Sequence, residues 1–328
     1  MNISGRNVNS IFPDLLFNMK LSGKTSPSRN GEVLSIEEPT IIKYNCPEER
    51  VLFWDLRDAN PFFHLMEALW MFAGRDDLAW PSYFNSRFKL YSDDGYSIHG
   101  AYGHRWRFAF SVDQLYNTIA LLSKEPTTRR AVISMWSPTK DYDIYRQYKD
   151  IPCNTHIYFR VVDGRLDMTV CNRSNDLVWG ACGSNVVHFS MLQEFIARAA
   201  GFDVGYYYQF TNNLHIYKDV PNFDKYMEHV PLNKPEPYAL QEVTPYPILR
   251  AHFLQWMEDL KWFFDSPGNS SGYYDPFFPE VVVPMFKAWE CRKSKKGSGL
   301  EYAEQIRATD WQRACVEWIK RREEKDGD

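Results

Sequence analysis

A chain of 328 residues, 44% hydrophobic and 24% charged, is long enough for one large domain or two small ones with a true core, and 16% aromatic residues exclude disorder as its main character. The formal net charge of −4, from 38 Lys+Arg against 42 Asp+Glu, excludes a broad cationic face for nucleic-acid backbones, so a bound anion must be held by a local cluster of arginines. No run nears the roughly 18 apolar residues of a membrane span, the first residues lack the order of a signal peptide, and six scattered cysteines without a C-x-x-C pair suggest neither a disulfide framework nor a metal site. A soluble, intracellular protein is expected.

The elements follow in chain order. Asn60-Pro61 is an N-cap with Pro at the first helical position, and Phe62, Leu65, Met66, Leu69, Trp70 and Phe72 make one wide apolar face that ends at Gly74. That pattern predicts a helix buried on most sides. A second helix is predicted over 112–122, and a strand over 130–135. Strands 156–162 and 166–172 are joined through Asp163-Gly164, a hairpin signal. A third helix over 187–200 carries Phe189, Leu192, Phe195 and Ile196 at helical spacing and stops at Gly201, ahead of a strand over 204–210. Residues 1–230 read as one continuous domain. Five prolines within 231–248 mark a weak boundary, beyond which a helix over 249–264, a polar turn and an amphipathic helix over 301–322 make residues 231–328 a helical extension packed on the same domain. The fold class is α+β, with helices on a mixed, mostly antiparallel sheet.

The densest polar information lies in residues 150–217. Cys153, in Asp-Ile-Pro-Cys-Asn-Thr-His ahead of a strand, is either a small buried hydrophobe or a nucleophile, and nearby guanidiniums would favour its thiolate. Arg173, Ser174 and Asp176 come just after a strand, and Gly180, Gly183 and Asn185 lead into an apolar helix. The plain reading is a solvated turn. A guanidinium, a hydroxyl, a carboxylate and a carboxamide beside a helix start also suit a phosphorylated, hydrogen-bonding ligand. Arg129 and Arg130 open a strand and Arg29 sits on a loop; each is a surface cation or part of a phosphate clamp. Glu67 interrupts the apolar helix, where a charged, unpaired carboxylate is costly. It is there for a structural hydrogen bond or as a general acid/base with a raised pKa.

Seven motifs then fall in a common order: Glu67-Ala-Leu-Trp-Met-Phe-Ala-Gly74, Gly100-Ala-Tyr-Gly-His-Arg-Trp106, Arg129-Arg130, Pro152-Cys153, Arg173-Ser174-x-Asp176, the Gly180 to Asn185 segment, and His215-Ile-Tyr217. Over residues 29–217 the chain resembles the thymidylate synthase family, which includes the pyrimidine nucleotide hydroxymethylases of phages and antibiotic pathways. The resemblance implies that Cys153 attacks C6 of a pyrimidine nucleoside monophosphate, making C5 a nucleophile toward the one-carbon unit of 5,10-methylenetetrahydrofolate. It implies that Arg29, Arg173 and Ser174, with Arg129 and Arg130 from a second subunit, hold the 5′-phosphate. His215 and Tyr217 would bind the sugar, Asn185 the base edge and Asp176 the folate ring, while Glu67 and Tyr102 would move protons through water. Several guanidiniums around the phosphate would also lower the thiol pKa, and arginines that cross between subunits imply an obligate homodimer. No metal, membrane or nucleic acid is expected, and the cytoplasm of a bacterium or phage-infected cell is the expected location.

Four departures from the family pattern matter. Cys153 is followed by Asn154 where the family commonly has His; the loop after Gly180 is one residue longer, so Asn185 rather than Ser184 is the base reader; and Asn212-Asn213-Leu214 replaces a Gly-Asp stretch. The fourth is the C-terminus, Arg-Arg-Glu-Glu-Lys-Asp-Gly-Asp, in place of the apolar segment with which methylating members exclude water. A site that admits water gives the 5-hydroxymethyl product, so hydroxymethylation is favoured over methylation to dTMP. Asn185 leans towards uracil, while a rotated amide would also match cytosine, and either sugar remains open. The other readings are a nucleotide- or RNA-binding regulatory protein without turnover, and a cysteine hydrolase using Cys153 and His156.

Overall fold

Alternating apolar and polar residues along 154–172 and 203–211 dictate strands with one buried and one open face. The computed structural model describes residues 1–142, 145, 146, 148–228, 230 and 236–327, with side chains to residue 324. Its strands are β1 (Asn2–Gly5), β2 (Lys24–Ser28), β3 (Gly31–Ser35), β4 (Thr40–Tyr44), β5 (Val132–Ser134), β6 (Asn154–Val162), β7 (Arg165–Asn172), β8 (Asn175–Asp176), β9 (Asp203–Thr211) and β10 (Leu214–Tyr217). They form a six-stranded sheet, β1-β4-β9-β7-β6-β5, and a four-stranded one, β2-β3-β10-β8. In the larger sheet β1/β4 and β9/β7 are parallel and the other pairs antiparallel. The chain is therefore α+β with mixed sheets, as expected.

The inner face of the large sheet presents Leu166, Met168, Val170 and Tyr207 to the helices; the outer face leaves Ile41, Tyr158, Tyr206 and Phe210 exposed. Against the inner face lie the helices Gln114–Lys124 and Ser184–Ala200, and the helix Pro61–Phe72 packs on Ser184–Ala200 in turn. All twelve residues of Pro61–Phe72 are buried, and its N-terminus is capped by Asn60 Oδ1, which accepts from Phe63 N at 3.1 Å. The hairpin forms at Asp163-Gly164, joining β6 to β7.

Three expectations are corrected. The strand expected over 130–135 covers Val132–Ser134 alone, so Arg129 and Arg130 precede it. The helix expected from 249 begins at Phe253, because Asp275 Oδ2 captures the N–H groups of Arg250 and Ala251 and His252 becomes the N-cap. The helix expected over 301–322 is two, Leu300–Ala303 and Thr309–Gly327; between them Arg307 N donates to Glu280 O at 2.9 Å instead of continuing the helix. The proposed boundary at 231–248 lies in part outside the described residues. Beyond it the chain enters the main core. Trp256 packs its ring 4.9 Å from Phe195 and 5.2 Å from Phe72, and Trp289 and Trp318 flank Phe62 at 5.7 and 5.5 Å.

Asp310 opens the last helix from inside this core, with Tyr238 donating its hydroxyl to Oδ2 at 2.9 Å. Burial pushes its carboxyl from 3.8 up to about 6. The folded chain thus holds this proton more tightly than the unfolded chain, and the contribution to stability, on the order of 3 kcal/mol, is lost as pH rises through about 6. The melting temperature of D310N relative to the parent is expected to climb between about pH 4 and about pH 7; a constant difference in scanning calorimetry would contradict the assignment.

Candidate active site

Cys153 lies partly buried in the bend that leads into β6. Arg173, just past β7, closes that bend. Its main-chain N–H donates to Cys153 O at 2.9 Å, Nε to Pro152 O at 2.8 Å, and Nη2 to Ile151 O at 2.9 Å. The same Nη2 stands 3.8 Å from Cys153 Sγ. Arg29, at the tip of the β2–β3 hairpin, donates to Tyr148 O and Lys149 O, both at 2.8 Å, and so fixes the segment ahead of the thiol. Ser174 is half-buried beside Arg173.

Tyr102 stands on the opposite side, its hydroxyl accepting from Cys153 N at 3.3 Å. It starts the short helix Tyr102–Arg107, which can rest on the buried Pro61–Phe72 helix only because residue 103 is glycine: a Cβ there would fall 1.9 Å from Met71 O. Burial, reinforced by Cys153 and Asp150, keeps the Tyr102 hydroxyl well above the usual tyrosine range and hence protonated.

Glu67 emerges from the buried helix toward His188 on the Ser184–Ala200 helix, Oε2 to Nε2 being 3.2 Å. Both side chains are buried, and neither of these atoms has a hydrogen-bond partner among the described residues. One turn before Glu67, His64 is held well below the usual histidine range by burial, then by Arg57 and His188, so it is neutral. Asn154, beside Tyr102, is buried, and neither of its amide atoms completes a hydrogen bond among the described residues. Buried polar atoms left open at Glu67, His188 and Asn154 are ones that small polar molecules can complete.

On the far side of Arg173, Asp176 accepts from Val178 N at 2.8 Å and from Trp179 N through Oδ1, while Oδ2 is buried without a partner among the described residues. Burial raises its pKa. A carboxylate with one open oxygen suits a ring N–H, and Trp179, 40% exposed between the guanidiniums of Arg57 and Arg87, offers a flat surface next to it. Residues Leu177–Ala181 form a π-helix, after which Cys182 N reaches back to Leu177 O at 3.0 Å. Asn185 follows in the first turn of the next helix, where its Nδ2 donates to Asn175 Oδ1 at 3.3 Å. His215 pairs in register with Asp176, its Nδ1 2.9 Å from Asn213 Oδ1, and Tyr217 lies two residues on, its ring 5.1 Å away.

Arg129 and Arg130 are not brought to Cys153 of the same chain. Both are exposed before β5, and Arg130 pairs with Glu125 at 2.9 Å. His156 alternates to the outer face of the sheet, its ring stacked on Tyr158, while Cys153 Sγ contacts Ile151 O and Arg173, so no Cys–His pair for a hydrolase forms. Several residues escaped the sequence reading, His188 and Trp179 among them. Asp150 accepts from Gly100 N at 2.9 Å, and burial raises its carboxyl; Gln209 points inward from β9. Gln209 is a polar residue at a position the alternation of β9 reserves for the core, the kind of signal that singled out Glu67, whereas Asp150 lies in a polar loop without such a pattern. Among the described residues, no group of three or more His, Cys, Asp and Glu could hold a metal ion, and no helix is long and apolar enough to cross a membrane.

Arg173 and Arg29 draw the thiol pKa down, in the expected direction, but within one protomer the net shift is upward. Burial pushes Cys153 up more than Arg173 and Arg29 pull it down, and Asp150 and Asp176 add to the rise. Alkylation of Cys153 by iodoacetamide should therefore show a midpoint above the ordinary cysteine range. In R173Q the rate at about pH 8 should fall by roughly tenfold, since an attractive charge is lost while the side chain stays comparable in size. Peptide mass spectrometry reads both; an unchanged or faster rate in R173Q would remove Arg173 from the electrostatics of the thiol.

The thymidylate synthase family model matches residues 11–246. A deoxyuridylate hydroxymethyltransferase of Pseudomonas phage M6 is 45% identical over 98% of this chain and 94% of its own length. Proteins of the same name from Bacillus phage SP01 and Delftia phage PhiW-14 are 35% and 32% identical, over 66% and 61% of this chain and 58% and 57% of theirs. With its thiol, tyrosine, arginines and buried glutamate standing in that family's order, this chain belongs to the thymidylate synthase family.

Proposed function

We propose that the protein transfers a one-carbon unit to C5 of dUMP and releases the 5-hydroxymethyl nucleotide, with Cys153 forming a transient bond to C6. The observation that carries this reading is the partly buried thiol between Arg173 and Tyr102, in a chain that matches a phage deoxyuridylate hydroxymethyltransferase along nearly its whole length. Bound 5,10-methylenetetrahydrofolate would supply carbon at the oxidation level of formaldehyde. Asp176, with its open oxygen, and Trp179 would hold it.

The chain's own residues supply the rest. Arg29, Arg173 and Ser174 bind the 5′-phosphate, and the dianion draws the guanidiniums that now cap main-chain carbonyls. His215 and Tyr217 bind the sugar and Asn185 the base edge. Tyr102, protonated, moves a proton at the Cys153 side of the ring. Glu67 takes the proton of the water that becomes the new hydroxyl; its unpartnered oxygen beside His188 is placed for such a water.

A second copy of the chain covers the outer sheet face bearing Ile41, Tyr158, Tyr206 and Phe210, an apolar surface without a partner in one protomer. Arg129 and Arg130, at the edge strand of that sheet, complete the partner's phosphate site. Residues 231–328 serve as part of the one catalytic domain, fixed by Trp256, Trp289 and Trp318. The location is the cytoplasm of a phage-infected bacterium.

Incubated with dUMP and methylenetetrahydrofolate, the protein should yield a nucleotide heavier by one formaldehyde equivalent and no dihydrofolate; dTMP with dihydrofolate would instead establish methylation. No product, with tight nucleotide binding and no tritium release from C5, would establish a regulatory protein. C153S should lose at least about a thousandfold in kcat. Mixing inactive C153S with an R129A/R130A double variant should restore activity as subunits exchange, because one hybrid site then has both its thiol and its arginines; absence of recovery would place both arginines outside the site.

A further inference from the structure

Three amides link the middle of the large sheet to the cleft. Gln209, 1% exposed on β9, donates from Nε2 to Ala181 O at 3.3 Å. Its Oε1 accepts from Asn175 Nδ2 at 2.8 Å, and Asn175 Oδ1 in turn accepts from Asn185 Nδ2 at 3.3 Å. Asn175 uses its second N–H on Thr211 Oγ1 at 3.4 Å. Turning a lone carboxamide over exchanges its oxygen and nitrogen at almost no steric cost. Here the direction is fixed at one end, since Ala181 offers a main-chain carbonyl that can only accept. Reversing any member would set two amide oxygens or two N–H groups face to face.

The relay is packed as well as bonded. A Cβ on Gly180 would fall 2.3 Å from Asn175 Oδ1 and 3.0 Å from Asn185 Nδ2, so the bare backbone of the π-helix forms one wall. Ala181, the last residue of that π-helix, also accepts from Tyr44 OH at 2.8 Å, which anchors the carbonyl from a second strand. The π-helix and the asparagine at 175 thus belong to one arrangement.

We propose that Gln209 and Asn175 are the positioning residues that make the enzyme read uracil rather than cytosine, by holding the Asn185 carboxamide in a single orientation. The inference rests on the function proposed above, in which Asn185 meets the base. Uracil presents an acceptor at C4 and a donor at N3; cytosine presents the reverse. A free carboxamide satisfies either by turning over, whereas a clamped one satisfies only one.

The test is the ratio of kcat/KM for dUMP to that for dCMP in the parent, N175A and Q209A, with melting temperatures to establish folding. The parent should prefer dUMP. The ratio should fall about tenfold or more in N175A, and in the same direction in Q209A, as dCMP gains relative to dUMP. A ratio unchanged within about twofold in a folded variant, with both substrates losing equally, would overturn the proposal. A parent that takes both bases equally would do the same. If N175A does not fold, Q209A decides. A parent that makes no product from dUMP sinks the proposed function alone, and the ratio of dissociation constants for dUMP and dCMP by calorimetry then judges the relay on the same criteria.

Discussion

Arg173 donates to two consecutive carbonyls of the Cys153 bend while its Nη2 lies at the sulfur, so one side chain fixes both where the thiol is and what charge it feels. The position depends on β6 and β7 being paired with Asn154 opposite Asn172, which carries the start of one strand to the end of the other. A slip of one residue in that register would turn the alternating side chains to the wrong face and separate the guanidinium from the thiol. Main-chain contact closes the bend at Cys153 O alone; the carbonyls of Ile151 and Pro152 find their donors in the Arg173 side chain.

Charge and burial oppose one another at this site. The arginines favour the thiolate, but taking sulfur out of water costs more, and the thiol is raised. A thiol kept largely protonated is protected from adventitious alkylation and oxidation. Glu67 and His188 in the helical layer, and Asn154 at the start of β6, are buried yet keep polar atoms without a hydrogen bond among the described residues, a cost that an apolar core would not retain without a task.

The C-terminal residues contribute to the same rigidity. Trp289 and Trp318 wedge against Phe62 of the helix that carries Glu67, and Arg322, stacked 3.5 Å over Trp318, pairs with Asp58 beside Arg57. Arg57 in turn donates to Val178 O in the π-helix at 2.8 Å. A continuous path of packed and bonded groups therefore joins the last helix to the wall of the cleft. Arg321 and Arg322 of the last helix are bound to this rim through Asp55 and Asp58.

Local chemistry determined much of this in the sequence. Asn60-Pro61, the unbroken apolar run after it, Asp163-Gly164 and Gly201 set their elements because capping, turn geometry and periodicity act over a few residues. Glu67 stood out because a carboxylate in an apolar run needs a reason, and the order of Cys153, Arg173, Asp176 and His215 pointed to the site. The strands β1 to β4 were not legible, since short segments such as Lys-Thr-Ser-Pro-Ser form strands only through neighbours far along the chain. Tertiary structure alone decided the net shift of the thiol, which balances burial against charges from several segments. It also decided the meeting of His188 with Glu67 and the amide relay. Each depends on distances between residues remote in sequence, and no local pattern encodes the side-chain orientation that a hydrogen bond requires.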